Sequence, residues 1–152
     1  AGACPSAHTP VIFPDGRVSA CIGPVIDLKV KHPLLLGNLR EESLARILDA
    51  AETNAVLHII RVWGPSKLLE MIQASGYAGR LPARFVDGSI CHLCYSILSD
   101  AGLREAAAEL ARDRQLLERT AYGRQYYLNE TSMLEAIGPG GAQSERPAVR
   151  AV

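Results

Sequence analysis

Four cysteines stand in this 152-residue chain, and they fall into two groups far apart. Cys4 and Cys21 enclose Gly16 in the pattern C-x11-G-x4-C, and Cys91-His92-Leu93-Cys94 forms a tight C-x-x-C. A set of four thiolates is a soft, anionic donor set, which selects zinc or an iron–sulfur cluster over hard cations. A single four-thiolate site would use every cysteine of the chain. Disulfides are the other use of an even number of cysteines. Nothing in the sequence resembles a secretory signal, however, and a chain of this length can bury about 70% of its unfolded surface without staples. Tight C-x-x-C pairs are common zinc ligands, yet zinc ribbons and fingers draw both halves from such pairs. The wide Cys4–Cys21 spacing favours a cluster and leaves structural zinc as the alternative.

The elements that must carry these thiols can be read from their flanks. Val11-Ile12-Phe13 and Arg17-Val18-Ser19-Ala20 are β-prone runs on either side of Pro14-Asp15-Gly16, which predicts a β-hairpin over about residues 10–21 with Gly16 at positive φ. The hairpin turns Cys21 back toward the segment that holds Cys4. Cys91 and Cys94 precede the apolar stretch from Tyr95 to Leu98, read as the opening of a helix. A helix start presents both sulfurs on one side, near a positive end that favours thiolates.

With its flanking text, this pattern resembles the SPASM/twitch domain that follows the barrel of many radical S-adenosylmethionine enzymes. The residues that carry the likeness are Pro14-Asp15-Gly16-Arg17-Val18 before the second cysteine and the run from Leu36 to Leu44 after it. It covers roughly residues 1–100. The resemblance implies that Cys4, Cys21, Cys91 and Cys94 hold an auxiliary 4Fe–4S cluster, which would pass an electron or tune the site of a substrate, peptide or small molecule. A full SPASM motif continues C-x2-C-x5-C-x3-C, but position 100 is Asp and no cysteine follows, so the likeness is to the one-cluster, twitch-like version. The C-x3-C-x2-C that binds the catalytic cluster in such enzymes is absent, and the chain begins at Ala1. A C-terminal piece of a longer enzyme is therefore expected, with the barrel upstream and no cleavage of S-adenosylmethionine by this chain alone.

Composition narrows the rest. Sixteen basic residues balance sixteen acidic ones, so no global field recruits nucleic acid or anionic lipid. Apolar residues make up 48%, but no run approaches the ~20 that span a bilayer, and a cytoplasmic protein is expected.

The predicted fold class is α+β, mostly α: a small β-hairpin followed by a helical region around a four-cysteine metal site. The expected organisation is an iron–sulfur domain over 1–100, helices packed on it over 101–137, and a disordered tail over 138–152. Predicted helices are 41–52 after a turn at Gly37-Asn38, and 55–63 capped by Asn54 and ended by Gly64. A third opens at Pro65 and stops at Gly76, and a long one runs from Gly102 to about Thr120. A loop over 77–89 delivers Cys91, and a last short helix runs from 130 to 137.

Among the histidines, His92 is read as a surface residue near the thiols and His58 as a packing residue, neither a ligand. Tyr122, Tyr126 and Tyr127, with Arg124, are read as packing against the barrel or the preceding helix. No Ser/His/Asp set has a usable order or spacing. No catalytic residue is assigned.

Overall fold

The computed structural model describes residues 2–86 and 89–130. The expected hairpin forms from β1 (Val11–Ile12) and β2 (Arg17–Ser19), with Val11 opposite Ser19 and Ile12 opposite Val18. Its turn is closed by the Gly16 N–H on the Phe13 carbonyl at 2.9 Å, and Gly16 takes φ +88°, a conformation L side chains rarely adopt. Asp15 accepts from both the backbone N–H and the guanidinium of Arg17, which holds its carboxyl below the ordinary value.

A third strand was not expected. Leu35–Asn38 pairs antiparallel with β2 as β3, completing a sheet of order β1-β2-β3. The Gly37-Asn38 pair reads as a turn, but the chain turns one step later. There the Asn38 carbonyl receives the N–H groups of Glu41 and Glu42, and its side-chain oxygen receives that of Arg40. The register shifts between Val18 and Ser19, so the ladder passes over Leu36.

Helices make up the remainder. They are α1 (Leu44–Glu52), α2 (Ala55–Trp63), α3 (Pro65–Gln73), α4 (Ile90–Ser99), α5 (Ala101–Leu110) and α6 (Arg114–Tyr127). Short polar side chains set most of their starts: Ser43, Asn54, Ser89, Asp100 and Asp113 each accept a backbone N–H of the following turn. Asp113 explains the main departure from expectation. The helix read as continuous from Gly102 to Thr120 ends at Leu110 and restarts at Arg114, and Leu117 within it lies exposed. A periodic apolar pattern continues across such a break, whereas a side chain competing for backbone N–H groups ends the helix. In α1 only Ile47 is buried, while Leu44 and Leu48 face outward.

The core gathers on α2. Leu57, Ile59 and Ile60 meet Leu68 and Ile72 of α3, Leu93, Ile97 and Leu98 of α4, and Leu103 and Ala107 of α5. Of the loop expected over 77–89, the described residues 77–86 carry one short 3-10 turn, at Ala78–Arg80. The tail over 138–152, and nearly all of the helix expected over 130–137, lie outside the described residues.

Candidate functional site

Each cysteine is placed by a separate local device. Cys4 precedes a 3-10 turn at Pro5–Ala7, and its N–H donates to the Ile60 carbonyl at 3.2 Å, tying it to the end of α2. The same carbonyl receives the Gly64 N–H at 2.9 Å. Gly64 turns α2 into α3 at φ +79°, and a Cβ there would lie 2.1 Å from the Gly2 carbonyl oxygen. Any larger residue at 64 would therefore displace the segment that carries Cys4.

Cys21 follows β2, and the buried Ser19 hydroxyl lies within hydrogen-bonding reach of the Cys21 and Leu34 carbonyls, at 3.0 and 3.1 Å. The Gly23 N–H donates to the Cys21 sulfur, and a 3-10 turn at Pro24–Asp27 then packs on α4.

Cys91 and Cys94 lie within the first turns of α4, not ahead of it. Ser89 caps the helix by accepting the His92 N–H at 3.1 Å. The i, i+3 spacing then puts both thiols on one face. Cys94 is buried and Cys91 is exposed.

These devices bring all four predicted residues to one pocket. Cys4, Cys21, Cys91 and Cys94 line it together with Ala7, Val25, Leu34, Ile60, Pro65 and Ile90. The sulfurs of Cys21 and Cys91 both stand 3.8 Å from where a Gly23 Cβ would be, so glycine keeps the space between them clear. Burial pushes both the Cys21 and Cys94 thiols above their ordinary value, and the neighbouring cysteines push the same way. The thiols are free of disulfides. No cationic side chain is among the pocket's described lining residues, so four thiolates would need a metal charge for compensation. Donor chemistry and the glycine cradle thus both fit a thiolate-bound inorganic group. Among the described residues, no three His, Cys, Asp or Glu side chains are set to close on one metal ion.

No histidine lines this pocket. His92 accepts the Val86 N–H on Nδ1 and meets the Phe85 ring edge-on. His8 bonds the Arg61 carbonyl, and His32 is buried, accepting the Leu34 N–H. His58 is a packing residue, as read: buried, with Nε2 on the Glu52 carbonyl and Nδ1 against Arg61. The tyrosines do not pack on the preceding helix. Tyr122, Tyr126 and Tyr127 are exposed, the first two stacked at 5.8 Å, while Arg124 turns inward to Glu52 and Glu130. Sequence reasoning missed Gly23 and Ser89, and it read Gly64 only as the end of a helix. Only Ser89, a cap residue ahead of an apolar run, carried a local signal.

Among the described residues, no helix is long and apolar enough to cross a membrane. No curated protein and no solved structure matches the chain. A family model does match, that of SPASM, described as an iron–sulfur cluster-binding domain. The match runs over residues 4–77, which takes in Cys4 and Cys21 and ends before Cys91 and Cys94. Over that span the chain is similar to a SPASM iron–sulfur cluster-binding domain.

Proposed function

We propose that Cys4, Cys21, Cys91 and Cys94 together hold one 4Fe–4S cluster, and that the chain is the auxiliary-cluster part of a radical S-adenosylmethionine enzyme. The observation that carries this is the shared pocket: the second cysteine pair lies outside the family match, yet α4 brings it to the first. A cluster in such a place supplies one-electron redox chemistry, at a potential set by burial and by hydrogen bonds to sulfur. The residues around it serve that use. The apolar walls limit water, the Gly23 N–H donates to Cys21, and the start of α4 turns its positive end toward Cys91 and Cys94. Four thiolates leave no position for S-adenosylmethionine, which supports electron transfer to or from a substrate bound by a barrel domain. The alternative is a zinc-stabilised helical interaction module. Zinc sites of this kind draw their thiols from tight pairs, and the wide Cys4–Cys21 spacing favours the cluster.

Anaerobic reconstitution tests this reading. Wild-type protein is expected to take up iron and acid-labile sulfide in equal amounts, and Cys21→Ser to lose both. A colourless protein with stoichiometric zinc would support the alternative, and unchanged iron in Cys21→Ser would remove Cys21 from the ligand set. Given reductant and S-adenosylmethionine, the reconstituted chain is expected to form no 5′-deoxyadenosine above a protein-free control.

A further inference from the structure

A cleft of about 520 Å³ lies between α3 and the first half of α6, within the size range of small-ligand sites. Helical spacing sets its walls. Ser66, Lys67, Glu70 and Met71 share one face of α3, and Gln115, Leu116 and Arg119 share one face of α6 behind the cap Asp113. Trp63, the last residue of α2, also lines the cleft and ties it to α6 through its bond to Thr120.

The polar groups of this cleft are used unevenly. Both carboxylates have partners on the chain: Glu70 holds Lys67 at 2.7 Å, and Asp113 accepts the Leu116 N–H at 2.8 Å. Among the described residues, the side chains of Arg119, Gln115 and Ser66 make no hydrogen bond or ion pair. The unused capacity is therefore rich in donors, and it stands at the positive end of α6. Trp63, Met71 and Leu116, all half-buried, supply apolar surface beside it. Lys67 and Arg119 balance Glu70 and Asp113 in charge, so the lining is neutral and suits one added negative charge better than two.

We infer that this cleft binds a small organic monocarboxylate with an apolar or aromatic body. The carboxylate lies on Arg119 and Gln115, and the body covers Trp63, Met71 and Leu116. A planar guanidinium fork matches a carboxylate with two parallel hydrogen bonds. The cleft shares no lining residue with the thiol pocket, so this site does not rest on the cluster reading.

Trp63 is the chain's single tryptophan, and its fluorescence reports on the cleft directly. The full chain is titrated with 3-phenylpropionate and, separately, with its neutral counterpart 3-phenylpropanamide. A saturable change with the acid is expected, with the amide at least about tenfold weaker, the scale of a hydrogen bond to a charged group. Arg119→Gln should bring the acid down to the level of the amide. Gln115→Glu sets a carboxylate against the ligand in a first helical turn that favours acidic residues, so it should weaken the acid without lowering the melting temperature. Arg112→Gln, outside the lining, should leave both affinities unchanged. All three substituted side chains are exposed, so circular dichroism should match wild type. The absence of a saturable change with the acid would overturn the inference. So would equal affinity for acid and amide, or an Arg119→Gln variant that still prefers the acid.

Discussion

Two sites in this molecule bury polar groups around α2, and they do it in opposite ways. Beside the middle of the helix lies a charged knot. Arg124 pairs with Glu52 at 2.5 Å and with Glu130, which also pairs with Arg61, and Arg61 reaches His58. Toward its C-terminal end lies the thiol pocket. In the knot, each guanidinium meets a carboxylate supplied by the chain, and burial that would raise Glu130 is outweighed by hydrogen bonds from Arg124 and Arg61. In the thiol pocket the groups are all acids of one kind, and the neighbouring thiols add to burial in raising the proton affinity of Cys21 and Cys94. A cluster of identical acids with no counter-charge folds easily when protonated but gains affinity for a cation when ionised. The knot is built to hold helices together, and the thiol pocket to hold something else.

Removing one member from each site should separate the two roles. Cys21→Ser should strip the metal and with it the metal's share of folding energy, on the order of 10 kcal/mol where thiolate ligation and folding are fully coupled. Its metal-free stability should stay close to that of metal-free wild type. Arg124→Ala should do the reverse. It leaves Glu130 with Arg61 and takes from Glu52 its guanidinium, which destabilises the fold by about 3 kcal/mol, discounted for the half-exposed Glu52. Iron per folded chain should be unchanged. Urea melts with parallel iron assays check both. Iron loss from still-folded Arg124→Ala would show that α2 couples the sites.

The thiol pocket was more legible in the sequence than the knot. Cysteine is rare and chemically specific, so four of them with one glycine at a fixed offset predict their own convergence. Arg61, Glu52, Arg124 and Glu130 are common surface types, and only the fold shows which ones turn inward. Arg124 was grouped with the tyrosines beside it, yet it is buried while Tyr126 and Tyr127 stay in solvent. The strand at Leu35–Asn38 was hidden for a similar reason: a Gly-Asn pair signals a turn locally, but pairing with β2 is a long-range event. The cap was legible at Asn54 because an apolar run followed. Asp113 was not, because the run on either side of it kept a common period.

The two sites should also respond to pH with opposite sign. Arg61 can only donate, so His58 Nδ1 must accept and Nε2 carries the proton that it gives to the Glu52 carbonyl. Burial, then the Arg124 charge, lower its pKa from 6.5 to about 4. A depressed base is neutral in the fold and charged when unfolded. Its contribution is therefore present above pH 6.5 and lost as pH falls toward about 4, up to about 3 kcal/mol. The raised thiols act the other way. In metal-free protein they are protonated in the fold, so stability is intact below the ordinary thiol value of 9.0 and falls as pH rises above it. Denaturant melts across pH should show the acid loss abolished in His58→Gln and the alkaline loss abolished by bound metal. Alkaline loss that persists with metal bound would mean that the thiols are not ligands.

The smallest expected effect lies between the sites. The Trp63 indole N–H donates to the Thr120 hydroxyl at 3.1 Å, joining the last residue of α2 to α6 next to the Gly64 turn that places Cys4. Trp63→Phe keeps most of the ring's packing and deletes the donor, leaving a buried hydroxyl that has other carbonyls of its helix within one turn. The loss should be about 1 kcal/mol, the net value of one such hydrogen bond. Trp63→Phe combined with Thr120→Val should destabilise by less than the sum of the two single changes, because each already removes the same bond. If α6 is only a clamp, iron affinity will not move in any of the three variants. A parallel drop in iron affinity would place Trp63 in the support of Cys4 and make the α2 terminus, not the pocket walls, the element that sets the spacing of the first thiol.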